Sequence, residues 1–115
     1  MRRCEIHVVN LDSVVGSEAN RRRPAVIVSN DGANVAAERL GRGVVTVVPV
    51  TSNVERVFPF QVLLPSRATG LDHDSKARAE QIRSISIARV GPTIGEVPAS
   101  LMVEIDEALR LHLAP

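Results

Sequence analysis

Apolar residues along this chain come in short alternating or β-branched runs divided by polar breaks marked with glycine and proline, a pattern of short strands rather than long helices. Residues 5–11 alternate in part, with Ile6 and Val8 on one face and His7 and Val9 on the other, as a half-buried strand requires. Residues 12–23 interrupt the alternation with Gly16, Ser17, Glu18, Asn20 and three consecutive arginines, Arg21, Arg22 and Arg23, so this stretch is predicted to be a loop that delivers polar groups. Pro24 then opens the run Ala25, Val26, Ile27 and Val28, too short for a typical helix and closed by Ser29, Asn30, Asp31 and Gly32; a buried strand is predicted. Residues 33–40 fit a short helix stopped by Gly41, and residues 44–50, the most β-branched stretch, predict a central strand ending near Thr51. Residues 60–64 and 75–82 are further strand candidates, the second with Ala77, Ala79 and Gln81 on one face and Lys76, Arg78 and Glu80 on the other. Residues 93–97 form a last short strand before the one clear helical periodicity, in which Leu101, Ile105, Ala108, Leu109 and His112 share a side. Five to seven short strands and a terminal helix predict a mainly β fold, a small SH3-like antiparallel barrel whose C-terminal α-helix closes the barrel or forms a dimer contact.

A length of 115 residues suits one domain spanning 1–115, with one core and one site. No run approaches the ~20 apolar residues of a membrane span, and Glu5 precedes any signal-like hydrophobic stretch, so a cytoplasmic location with no membrane contact is expected. Cys4 is the single cysteine, which excludes an internal disulfide and a thiolate zinc cage. The net charge of +1 argues against a protein that coats nucleic acid by bulk electrostatics. Its distribution is more informative: residues 1–95 carry 13 basic and 9 acidic side chains, residues 96–115 one and four. All but one of the cations are arginine, whose planar fork suits phosphate, although arginine-favouring codon usage explains the excess as well. With no Trp or Tyr and only Phe58 and Phe60, composition argues against a single-strand binder built on several aromatic platforms, and any RNA must be held largely by arginines, backbone groups and shape.

The chain lacks a Gly-rich phosphate loop, a His-Glu-x-x-His helix and a nucleophile elbow. What remains is the arginine loop, the hydroxyls of Thr51 and Ser52 at a strand end, and the polar face around Glu80 and Gln81, three places that can line one groove. Gly16-Ser17-Glu18, followed after a short gap by Arg23-Pro24-Ala25-Val26-Ile27-Val28-Ser29-Asn30-Asp31, resembles the first signature of the MazF/PemK toxins. Val48-Pro49-Val50-Thr51-Ser52 and Ala79-Glu80-Gln81-Ile82-Arg83-Ser84-Ile85 are similar to the second and third, and the likeness runs from Arg3 to Leu113.

The resemblance implies a MazF/CcdB-like barrel and a type II toxin–antitoxin system. It further implies a homodimeric endoribonuclease that cuts single-stranded RNA at short sequences without metal or other cofactor, and a MazE-like antitoxin partner with an acidic C-terminal segment. Carried onto this chain, the catalytic pair is Arg23 and Thr51, with Ser17, Glu18, Glu80 and Gln81 as supporting or RNA-binding groups. Arg21 and Arg22 read equally as solvated charges or as contacts to RNA or antitoxin. The alternatives are a non-enzymatic, CcdB-like toxin that binds gyrase, and a magnesium nuclease built on Asp74-Ser75-Lys76, a stretch that turn residues explain more simply.

The implied chemistry suits these residue types. A ribonuclease without metal can use the substrate's 2′-hydroxyl as nucleophile, leaving a cyclic phosphate, and must stabilise charge growing on phosphate oxygens. Arg23 can donate two hydrogen bonds there and Thr51 one, whereas a guanidinium that keeps its proton above pH ~12 is a poor general base. Glu18 can act as base or orient Arg23. Cys4, His7 and Asn10 depart from the family pattern, which has glycine, an aromatic and Asp at those positions. His7 is then either a new acid–base group or, the simpler reading, a strand histidine satisfied by packing.

Overall fold

The computed structural model describes residues 1–11 and 22–115. Its order of elements is β1 (Glu5–Asn10), β2 (Arg22–Ile27), α1 (Asp31–Leu40), β3 (Val44–Thr51), β4 (Gln61–Leu64), α2 (Ser66–Thr69), β5 (Ser75–Arg78), β6 (Arg83–Ser86), β7 (Val90–Glu96) and α3 (Ala99–Leu113). The valine-rich β3 organises it, because its two faces feed two separate cores. Val48 and Val50 join Ile6, Val26, Val62, Leu64, Met102, Ile105 and Ala108 in the core beneath α3. Val45 and Val47 join Val9, Ala25, Ile27, Ile85 and Ala37 of α1 in the other. A strand buried on both faces reads as a continuous apolar run, which is why residues 25–28 and 44–50 show so little alternation.

The seven strands pair antiparallel in the order β4-β5-β3-β2-β1-β7, with β6 beside the first half of β3. One edge of β3 thus changes partner: Val44–Val47 meet β6, Val50 and Thr51 meet β5, and Pro49, which has no N–H to offer a ladder, falls in the interval. The path begins at β4 and ends at β7, so the mainly β architecture with its C-terminal helix is as expected, but the sheet is open rather than a closed barrel. The helix α3 covers β4 and the 3-10 turn Ala79–Gln81. Its stripe uses Met102, Ile105 and Ala108, flanked by Leu101 and Leu109, whereas His112 lies exposed in the last turn, not on the buried side where its spacing placed it.

The helix α1 starts where Asn30 Oδ1 accepts from Ala33 N at 2.8 Å and stops at Gly41, in the left-handed region at φ 66°. Four further elements differ from expectation. The strand predicted over residues 75–82 ends at Arg78, where the 3-10 turn takes over with Ile82 N donating to Ala79 O, so Arg78 and Glu80 do not share a strand face. The short α2 and β6 carry too few residues for periodicity to reveal. The last strand begins at Val90, three residues early, because His7 on β1 pairs with Thr93 and Val9 with Val90. Among the described residues no helix is long and apolar enough to cross a membrane.

Candidate active site

Antiparallel pairing of β2 with β3 sets Ala25 opposite Pro49, and the same register carried two residues further sets Arg23 level with Thr51. Both line one open cleft of about 490 Å³. Its floor is Pro24, Val50 and Ile94; Arg22 and Ser52 sit beside the pair, and Leu71, Asp72, His73 and Ser75 form the opposite wall. Arg23 is exposed, with Nη1 donating to the Arg22 carbonyl at 2.9 Å. Thr51 Oγ1 accepts from Asn53 N at 3.2 Å, which orients the hydroxyl and leaves its proton available to a ligand. With two guanidiniums against a single carboxylate in its described lining, the cleft suits an anion.

The opposite wall is tied down by backbone contacts. Gly70, at φ 84°, ends α2, and Gly95 on β7 has no side chain where Thr69 O closes in; a Cβ there would lie 2.5 Å from that oxygen. Ser66 Oγ donates to the Leu71 carbonyl, Ser66 N donates to Asp74 Oδ1 at 2.8 Å, and buried Ser75 Oγ donates to the His73 carbonyl at 3.0 Å. Asp74 is thereby a turn brace, and Lys76 Nζ donates to the Arg56 carbonyl, so the Asp-x-Lys stretch is used in holding the chain.

A family model described as the PemK-like, MazF-like toxin of type II toxin–antitoxin systems matches residues 2–113. The chain belongs to this family. Endoribonuclease MazF9 of Mycobacterium tuberculosis is 62% identical over 113 residues, 98% of this chain and 96% of its own. Endoribonuclease EndoA of Bacillus subtilis is 29% identical over 99% of this chain and 95% of its own. The crystal structure of MazF from Deinococcus radiodurans superimposes with TM-score 0.75 at 27% identity, covering 100% of this chain and 97% of that one. A mycobacterial endoribonuclease in complex with its cognate antitoxin has the same fold, with TM-score 0.74 at 23% identity over 99% of this chain and 95% of that one.

Within this family framework the sequence-predicted residues separate. Arg22, Arg23, Thr51 and Ser52 come together in the cleft. Ser17, Glu18 and Arg21 lie outside the described residues. Glu80 and Gln81 sit on the 3-10 turn and do not line the cleft; Glu80 Oε2 accepts from Gln61 Nε2 at 2.8 Å, while Gln81 is exposed. His7 is buried on β1, its Nδ1 2.9 Å from the Gly91 carbonyl and its Nε2 2.9 Å from Glu5 Oε1 and 3.2 Å from Thr93 Oγ1. Packing therefore satisfies His7, away from the cleft. Burial pushes the Glu5 carboxyl up, but hydrogen bonds from His7, from Arg2 N and from the Arg2 guanidinium outweigh it and hold the group below its ordinary range. By sequence the stretch from Asp72 to Lys76 is weighed only as an Asp-x-Lys motif and a turn is preferred, because a turn between strands looks the same whether or not its tip faces a site.

Proposed function

We propose that this chain is the toxin of a type II toxin–antitoxin pair and a sequence-selective endoribonuclease that cuts single-stranded RNA without a metal ion, folded as one domain over residues 1–115. The observation that carries this reading is the meeting of Arg23 and Thr51 in one cationic cleft of a chain whose relatives bear the name endoribonuclease. The substrate's 2′-hydroxyl attacks the adjacent phosphorus. Arg23 and Thr51 hold the non-bridging oxygens as negative charge grows on them, and Arg22 adds attraction for the neighbouring phosphate. Ser17, Glu18 and Arg21 serve as supporting or RNA-contacting groups, and exposed Gln81 contacts RNA as well. Glu80 supports the fold, since its carboxylate accepts from Gln61. A cytoplasmic homodimer, neutralised by an antitoxin whose acidic tail occupies the arginine groove, completes the reading. Membership of the family does not favour a gyrase-binding toxin, which needs no catalytic pair.

The test is incubation of the purified protein with a diverse single-stranded RNA pool in EDTA. Cleavage leaving 2′,3′-cyclic phosphate ends is expected, and a 2′-deoxynucleotide on the 5′ side of the cut should block it. A pool left uncut by the wild-type protein overturns the reading. Arg23→Lys and Thr51→Ala should each lower the rate by ~10²–10³, because a point charge does not reproduce the fork and the lost hydroxyl is a preorganised donor.

A further inference from the structure

Arg23 and Thr51 leave the proton transfers unassigned. In the step proposed above the 2′-oxygen forms a bond to phosphorus and gives its proton to a base. The P–O5′ bond breaks, and its electron pair goes to the 5′-oxygen, which must take up a proton to leave as a hydroxyl. Building on the ribonuclease reading, we infer that His73 is the general acid that supplies that proton.

The described lining of the cleft offers the guanidiniums of Arg22 and Arg23, the hydroxyls of Thr51, Ser52 and Ser75, the carboxylate of Asp72 and the imidazole of His73; guanidiniums and aliphatic hydroxyls are poor proton donors near neutral pH, and a carboxylate only accepts. Accepting the 2′-proton is open to more than one group, but among the described lining residues an imidazole is the side chain suited to handing over a proton near neutral pH. The chain's other histidines are elsewhere: His7 is buried on β1 with its own partners, and His112 is exposed in the last turn of α3.

Placement agrees with chemistry. Strand β5 runs antiparallel beside the end of β3 with Lys76 opposite Thr51, so Asp72, His73 and Ser75, just before Lys76, line the same cleft as Arg23 and Thr51. The backbone is held before the ring by Ser66 Oγ on the Leu71 carbonyl and after it by Ser75 Oγ on the His73 carbonyl at 3.0 Å and by Asp74 Oδ1, which accepts from Ser66 N at 2.8 Å, while the His73 side chain is exposed. A held backbone positions the ring, and exposure lets solvent reprotonate it after each cut. The charged and polar groups that line the cleft with it are Arg22 and Arg23 from β2, Thr51 and Ser52 from the end of β3, and Asp72 and Ser75 on its own segment.

The experiment uses the full chain and an RNA the wild type cuts, under single-turnover conditions. His73→Ala and His73→Gln should lose ~10²–10⁴ in cleavage rate. They should bind a 2′-deoxy analogue of the cut site as the wild type does, and melt at the wild-type temperature. The fall in rate at high pH, where the acid is deprotonated, should vanish in both. An RNA with sulfur in place of the scissile 5′-oxygen, whose thiolate leaves without a proton, should be cut equally fast by wild type and His73→Ala. Wild-type rates from both variants on ordinary RNA overturn the assignment, as does a loss that persists undiminished on the sulfur RNA. Failure of the underlying ribonuclease reading looks different, since the wild-type protein would then cut neither RNA.

Discussion

Replacing Gly95 by alanine tests how the fold builds the cleft. The added Cβ would stand 2.5 Å from Thr69 O, whereas a carbon meets a carbonyl oxygen comfortably at ~3.3 Å. The turn at the end of α2 must therefore retreat from β7 by roughly 0.8 Å. It has little slack, because Thr69 Oγ1 donates to the Pro65 carbonyl, Gly70 N donates to Ser66 O and Ser66 Oγ donates to Leu71 O. Overpacking of this kind costs about 2 kcal/mol. For a domain of this size that lowers the melting temperature by roughly 8 °C. Because the same turn leads into Leu71, Asp72 and His73, the far wall of the cleft moves with it, and near-attack geometry lost by an ångström-scale shift lowers the cleavage rate up to ~10²-fold. Thermal melts at fixed protein concentration and single-turnover cleavage of one defined RNA measure the two effects. Gly41→Ala is the comparison, with open space around its Cβ and only a positive φ to strain it. A Gly95→Ala protein with wild-type melting temperature and wild-type rate refutes the reasoning, since the contact would then be absorbed without moving either element.

Glu5 predicts an acid limb of stability. Its folded carboxyl titrates below the ordinary value of about 4.3, so between those two values the unfolded chain binds more protons. The stabilisation is complete above that ordinary value and drains away as pH falls through the folded one. Urea midpoints should show Glu5→Gln weaker than wild type at pH 7 and level with it at the acid end; a deficit independent of pH contradicts this. Asn34 is fully buried, its Nδ2 donating to Ser29 O at 2.8 Å and its Oδ1 accepting from Ser29 Oγ, so Asn34→Ala should cost about 2 kcal/mol in chemical denaturation. The Arg23→Lys and Thr51→Ala proteins should melt like the wild type, because Arg23 is exposed and the Thr51 hydroxyl receives only a loop N–H; lost activity accompanied by unfolding would remove them as probes of chemistry.

The hydrophobic pattern by itself determined β2, β3 and α3, since each is a run whose burial follows from its own side chains. The order of motifs placed Arg23 just before one buried strand and Thr51 at the end of another. It did not determine which strands lie side by side. Strand β5 could be called a strand from residues 75–78, but only its pairing with β3 brings His73 to the cleft that Arg23 and Thr51 share. His7 illustrates the same limit in reverse. Its partners Gly91 and Thr93 are more than eighty residues away, so a histidine that local reading left open between chemistry and packing is assigned to packing once β7 pairs with β1. Glu80 turns from an expected strand face to Gln61 because the chain leaves the ladder at Arg78 to pass under α3. Periodicity records which face of a segment is apolar, a property of adjacent residues. Strand order, the open edge between β4 and β7, and the far wall of the cleft depend on burying two cores at once, and that condition is satisfied only by the chain as a whole.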